Sequence, residues 1–258
     1  MRIYVCVKHV PDSAAKITIT GNARIDESVT FLMNPYDEHA VEEAARFKKQ
    51  AGAAEVIAVS VGKSDAVNTI QSALAMGADR AILVTTDSQP DSLVTARALK
   101  AAIEQDGRPD IIFTGKESID SEGSQTMHRL AAAMDMPSAS GVESFALSQG
   151  RAQVECDLES GAREVIEISL PCVIGCGKGL NKPSYPTLPA IIKARKKEVQ
   201  QIDLQSLNIE KPAGRIEILE LKPAVEERKP QEVKGTPQEI ADELVRILRE
   251  EAKVINEQ

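Results

Sequence analysis

The segment Gly115-Lys116-Glu117-Ser118-Ile119-Asp120-Ser121-Glu122-Gly123-Ser124-Gln125-Thr126 gathers the groups of this chain best suited to hold an anion. It follows the apolar run Ile111-Ile112-Phe113 and precedes a helical pattern, so it joins a buried strand to a helix N-terminus. There the backbone N–H groups lack intrahelical partners and the helix dipole favours a phosphate. Small residues at Gly115, Ser118, Ser121, Gly123 and Ser124 let a ligand come close to the backbone, while Ser124, Gln125 and Thr126 add side-chain donors. The same residues also fit a plain strand-to-helix connection in which Ser121 or Ser124 is the N-cap.

Other chemistries find little support. Gly62-Lys63-Ser64 resembles the end of a P-loop, but Ile57 stands where that motif needs its first glycine. Gly175-Cys176-Gly177-Lys178-Gly179 approaches the dinucleotide spacing, yet Leu180-Asn181-Lys182-Pro183 follows in place of a helix. An ATP pyrophosphatase would carry a serine-glycine-glycine loop after its first strand; here that strand leads to Lys8-His9-Val10-Pro11-Asp12. His9, His39 and His128 are dispersed, and no nucleophile motif accompanies them. Cys6, Cys156, Cys172 and Cys176 lie mostly in apolar β-like runs without C-x-x-C spacing, which reads as buried small hydrophobes. No catalytic residue and no metal site is expected. A nucleotide-binding sheet without catalytic machinery suggests a binding or carrier protein.

The elements that position the loop follow from periodicity. Strands are expected at Ile3–Val7, Glu55–Val61, Ala81–Val84 and Asp110–Thr114. Helices between and after them show apolar faces at Ala40, Ala44, Phe47 and Ala51; at Val67, Ile70 and Leu74; at Ala96, Leu99 and Ile103; and at Met127, Leu130, Ala131 and Met134. Short buried strands separated by single helices predict an α/β fold, a doubly wound and mostly parallel sheet whose ligands sit at the strands' carboxyl ends. From Val142 the period changes to two, in Val142–Leu147, Ala152–Cys156 and Val165–Ile168, with turns at Gln149-Gly150 and Glu159-Ser160-Gly161, which predicts an antiparallel extension. Prolines at 183, 186 and 189 forbid a helix before Pro189 but allow one to start there. From about Val199 to Lys234 the chain is charged, with Pro212, Pro223 and Pro230, and reads as an arm over another surface. A helix then starts with Thr236 as N-cap, Pro237 in the first turn and Glu239 completing a capping box, with Ile240, Leu244, Ile247 and Leu248 on one face.

A length of 258 residues and 42% hydrophobic composition suffice for a full core. The formal net charge of −8 argues against nucleic-acid binding. The dense basic run Lys193-Ala194-Arg195-Lys196-Lys197 fits either a solvated helix end or a docking patch. Cysteine usage, an N-terminus that begins at once as a strand, and the lack of a long apolar stretch lead to the expectation of a soluble cytoplasmic protein, or a mature organellar one, without membrane insertion.

Several segments together resemble the β subunit of electron-transfer flavoproteins. They are Val5–Asp12; Met33-Asn34-Pro35-Tyr36-Asp37-Glu38 with Ala40–Ala44; Ala73–Arg80; the loop 115–126; and Leu180-Asn181-Lys182-Pro183-Ser184-Tyr185-Pro186-Thr187-Leu188-Pro189 running on to Lys197. The resemblance implies an adenine-nucleotide α-hydrolase-like fold and a heterodimer, in which a larger α subunit holds most of a redox-active FAD. It divides the chain into a nucleotide-binding domain over residues 1–198 and, over 199–258, an arm and docking helix that pack on the α subunit. By position, contacts to AMP carry over to Cys6, Asn34, Pro35, Tyr36, Asp37, Val61 and Gly115 through Thr126. Tyr36 and Ser13 fall where β residues approach the flavin.

Leu188 falls on the family's recognition loop, where a leucine enters an apolar pocket of a partner dehydrogenase; Lys193, Arg195, Lys196 and Lys197 would steer that partner. The alternative is a core-facing leucine packing the helix after it. Many family members carry more consecutive acids after Ile-Asp, and a glycine shortly after the glutamine. Here Ser121 interrupts the acids and Thr126-Met127-His128 follows Gln125. AMP is expected, with a second FAD as the alternative. The implied role is an electron carrier between acyl-CoA dehydrogenases of fatty acid oxidation, or related ones, and a membrane quinone reductase. The alternatives are a bifurcating flavoprotein subunit oxidising NADH and a stand-alone nucleotide-binding protein of the stress type.

Overall fold

Residues two apart along a strand share a face, and the first strand divides accordingly: Ile3 and Val5 enter one half of the core, Tyr4 and Cys6 the other. The computed structural model describes residues 1–158, 161–207, 209, 216–223 and 230–255. Its strands are β1 (Arg2–Cys6), β2 (His9–Pro11), β3 (Ile19–Thr20), β4 (Arg24–Ile25), β5 (Phe31–Met33), β6 (Glu55–Gly62), β7 (Arg80–Thr85), β8 (Ile111–Gly115), β9 (Ser138–Ser148), β10 (Arg151–Asp157), β11 (Arg163–Ser169), β12 (Cys172–Cys176) and β13 (Val199–Asp203). The helices are α1 (Pro35–Ala51), α2 (Val67–Met76), α3 (Ser92–Asp106), α4 (Thr126–Ala133), α5 (Leu188–Ala194) and α6 (Pro237–Arg246).

Among the described residues the main sheet has nine strands in the order β11-β10-β9-β12-β8-β1-β6-β7-β13. From β9 through β12 to β13 neighbours run parallel, and β10 and β11 add the antiparallel extension. The fold is therefore the expected α/β sheet, with helices on both faces. Ala40, Val41 and Ala44 of α1 and Ile70 and Leu74 of α2 pack with Ile3, Val5, Val56 and Phe113. On the other face Ala96, Leu99 and Ile103 of α3 and Leu130 and Ala131 of α4 pack with Tyr4, Ile57, Ile82 and Ile112. An aromatic step, Phe47 to Phe145 at 6.0 Å and Phe145 to Phe113 at 5.2 Å, ties the extension to the sheet.

Ala51, expected on the apolar face of α1, is exposed at the helix's last turn. The strand β12 inserts between β8 and β9, so all its residues are buried and it shows no polar alternation to announce it. The boundary expected at 198/199 falls immediately before β13, which pairs in parallel with β7 from Val199 opposite Ala81 to Asp203 opposite Thr85. Of its residues only Ile202 is buried, as befits an edge strand, and a single buried side chain leaves no readable period. The first compact unit runs from Met1 to Glu220, past the expected limit. Glu159, Ser160 and Pro212 lie outside the described residues.

The second unit, Leu221–Gln258, contains α6. Its capping box forms as expected: Glu239 accepts from the Thr236 N–H at 2.7 Å while the Thr236 hydroxyl faces the Glu239 N–H. No residue of α6 is buried, and Ile240, Leu244 and Val245 are exposed.

Candidate functional site

The chain leaves β1 toward β6 and β7 and returns to β8 on the other side of β1, so the loops after β1 and β8 diverge at the carboxyl end of the sheet. This is the topological switch point, where such sheets take their ligands. Lys8 follows β1 and the loop 116–125 follows β8, and both meet the N-terminus of α1.

Asn34 and Asp37 build the floor. Asn34, 1% exposed, donates from Nδ2 to the Glu117 carbonyl at 2.8 Å and to Asp37 Oδ1 at 3.0 Å, and accepts from the Ile119 N–H at 3.2 Å. Asp37, 5% exposed, accepts further from the Lys8 N–H at 2.7 Å and the Gly115 N–H at 3.0 Å. One carboxylate thus holds the ends of β1 and β8 and the start of α1 together. Burial pushes its pKa up to about 7, against the hydrogen bonds from Asn34, Lys8 and Gly115, which lower it. Gly115 must be glycine, because a Cβ would stand 2.7 Å from Tyr36 Cβ and against Asp37 Oδ1.

The loop above is charged and left-handed in places. Glu122 and Ser124 both have φ of 47°, and the Glu122 N–H turns back to the Ser118 carbonyl at 2.8 Å. Lys8 Nζ donates to both Asp120 oxygens at 2.7 Å and to Ser118 Oγ at 3.1 Å. Burial would raise the Asp120 carboxyl, but the Lys8 ammonium and the Ser118 hydroxyl outweigh it and hold it low. Ser121 Oγ lies 3.0 Å from Ser118 Oγ, and Ser124 Oγ donates to Glu117 at 2.9 Å. The start of α4 is not capped by Ser121 or Ser124: its N-cap is Gln125, which makes no side-chain cap bond. The first N–H groups of α4, at Thr126 and Met127, are therefore donors without an intrahelical partner, beside a nest-forming loop.

The remaining expected residues surround this loop to different degrees. Tyr36, behind Pro35 in the first turn of α1, has Lys178 Nζ 5.1 Å and Lys116 Nζ 5.4 Å from its ring centroid. Cys6 ends β1 and Val61 is the next-to-last residue of β6; Cys6 is buried, and burial drives its thiol far up, leaving an apolar wall. Gly123 is exposed in the loop. Ser13 sits in an exposed turn after β2 and joins none of the described hydrogen bonds of the loop. Beside Lys116 of the loop, Lys8 and Lys178 add positive charge at the site, yet neither of these two stands among the expected residues; Lys8 is the second residue beyond a central strand's carboxyl end, which is the signal that could have found it. His9 bonds Thr69 Oγ1 at 2.8 Å and stacks on Phe31, and His39 bonds Asn181, so these histidines serve the scaffold.

A second surface lies at the proline-rich segment. Leu188 opens α5 behind Thr187 as N-cap and is 70% exposed, which removes its reading as a core leucine. Tyr185, Ile191 and Ile192 are exposed with it. Lys193, Arg195 and Lys196 are exposed, but Lys197 is not a rim charge: its Nζ donates to the Leu74 carbonyl at 2.8 Å and to that of Ala78, capping the end of α2.

These features define a class, the doubly wound α/β proteins with a polar, small-residue loop at the sheet's switch point. The family model described as "Electron transfer flavoprotein domain" matches residues 23–207. The chain is 37% identical to the mitochondrial electron transfer flavoprotein subunit beta of Arabidopsis thaliana over 99% of its own length and 100% of the relative's. It is 33% identical to the subunit beta of Bacillus subtilis over 99% and 100%, and 34% identical to that of Mus musculus over 98% and 99%. The chain belongs to the electron transfer flavoprotein family, on its β-subunit side. Among the described residues no helix is long and apolar enough to cross a membrane.

Proposed function

We propose that this chain is the nucleotide-holding β half of a heterodimeric electron carrier whose α subunit holds most of a redox-active FAD. The observation that carries the reading is the loop 115–126, pinned by Asn34 and Asp37 next to an uncapped helix start, because that arrangement offers backbone donors and flexible hydroxyls to a phosphate. AMP is the proposed occupant. Asn34 and Asp37 are already committed to backbone groups, so they shape the site from below. Lys8, Ser118, Ser121 and Ser124, which bond to one another and to Asp120 and Glu117, would turn to the ligand together with the N–H groups of the α4 N-terminus. Tyr36, flanked by two ammonium groups, is the proposed neighbour of the α-subunit flavin.

In this role the protein's residues make and break no bonds. The flavin supplies the electron chemistry, and the β chain orients it and offers a docking surface. Leu188, on a segment stiffened by prolines, anchors an acyl-CoA or related dehydrogenase with little loss of conformational entropy. A membrane quinone reductase takes the electrons onward. Four free buried thiols accord with a reducing compartment such as the cytoplasm.

The test is to co-express the chain with its α partner, denature the purified heterodimer and identify the released nucleotides by chromatography and mass. One FAD and one AMP per heterodimer is the expected result. Two FAD without AMP would reassign the protein to an electron-bifurcating form that oxidises NADH, and a single FAD alone would sink the nucleotide role of the loop.

A further inference from the structure

The exposed segment that carries Tyr185 and Leu188 is held by an unusual means. Pro183, Ser184, Tyr185 and Pro186 form one wall of a cavity of about 380 Å³ whose other walls are β5, α1 and α2. A segment that spans a cavity gains little position from packing, so its hydrogen bonds must set where it lies. Those bonds come from one turn of α1. Glu42, 8% exposed, accepts from the Ser184 N–H at 3.0 Å and the Ser184 hydroxyl at 2.5 Å through the same oxygen, Oε2. Asn181 donates to Glu43 Oε2 and to the His39 carbonyl, both at 3.0 Å, and its Oδ1 accepts from His39 Nδ1 at 3.1 Å.

We propose that Glu42, seconded by the Asn181 contacts to His39 and Glu43, is a positioning residue for partner docking: it fixes the 181–187 segment so that Leu188 is presented in one pose. The physical reason is preorganisation. A flexible segment would have to be ordered at the moment of docking, and the cost would appear in affinity for the partner rather than in the electron-transfer step. A buried acceptor spent on an exposed segment's backbone is otherwise poorly explained, since burial of a polar group costs free energy that an apolar side chain would avoid.

The inference rests on the docking reading of Leu188, and three variants of the full heterodimer separate the two. The probe is an acyl-CoA dehydrogenase that reduces the wild-type heterodimer. Glu42→Leu removes the acceptor and is expected to raise KM for the dehydrogenase about tenfold with kcat within about twofold. Its FAD and nucleotide content should be unchanged. Glu42→Gln keeps an acceptor oxygen and should restore KM to within about twofold of wild type. Leu188→Ala should raise KM by itself. A raised KM for Leu188→Ala with wild-type KM for Glu42→Leu overturns the positioning role alone; wild-type KM for Leu188→Ala removes the docking reading and the positioning role with it. Should Glu42→Leu not fold, Ser184→Ala on the exposed segment deletes one of the two bonds. With it, KM about threefold higher supports the role and an unchanged KM overturns it.

Discussion

Asp37 places a carboxylate where burial has removed water and three protein N–H groups have replaced it. Its folded pKa of about 7 lies above its ordinary 3.8, so the folded state favours the protonated form. The stability this contributes is fully present below about pH 4 and is lost as pH rises through about 7. Asp120 works in the opposite sense and in a more acid window, because Lys8 holds it low and its contribution disappears as pH falls through that depressed value. Asp37→Asn should therefore flatten the decline in urea stability between pH 4 and 7. It should also lower stability by about 1–3 kcal/mol, since an amide NH2 must face one of the three donors. Parallel pH profiles for the variant and wild type would refute this role. Apart from the family resemblance, the sequence marks Asp37 only as an acid in the first turn after Asn-Pro, a position that any helix favours. The carboxylate's bonds to Lys8 and Gly115 span 29 and 78 residues, and no local pattern carries such distances.

The same limit governs whole elements. The strand–loop–helix unit around residues 111–133 was legible because a buried run, a small-residue loop and a 3.6 period follow one another within it. Its cap was not, because Ser121 and Ser124 are spent on Ser118 and Glu117, which leaves Gln125 at the boundary. The basic run at the end of α5 is uniform in sequence, yet Lys197 turns inward onto α2. Burial lowers its pKa, with Asp79 opposing. Lys197→Ala should then cost about 1 kcal/mol of stability by uncapping α2, with no change in the salt dependence of dehydrogenase docking. Lys193→Ala should do the reverse, leaving the thermal midpoint in place and weakening the salt dependence of the association rate in stopped-flow measurements. Equal effects of the two substitutions on both observables would contradict the distinction.

At the scale of the molecule, the parallel centre and the antiparallel extension were readable from two periods, 3.6 and 2. The insertion of β12 between β8 and β9 and the closure of the far edge by β13 were not, since a fully buried strand has no alternation and an edge strand with one buried residue has almost none. The second unit offers α6 with a well-made N-terminus and an unburied apolar stripe. As part of a heterodimer it should be needed for association: Ile240→Ser with Leu244→Ser is expected to shift the complex to separate subunits on gel filtration, leaving the circular dichroism of the first unit intact. Retention of the heterodimer would show that α6 is dispensable for assembly.

The outer strand β11 closes the antiparallel extension as one edge of the sheet. It carries Arg163, Glu164 and Glu167, with Val165 58% exposed among them. Arg163 reaches Glu143 at 3.4 Å and Glu155 at 3.7 Å, and Arg151 reaches Glu167 at 3.6 Å. A foreign strand seeking to add there would meet a row of fixed opposite charges in place of a flat apolar ribbon. The molecule can thus leave Val165 bare on this edge while the seven-residue ladder remains a poor seed for fibrils.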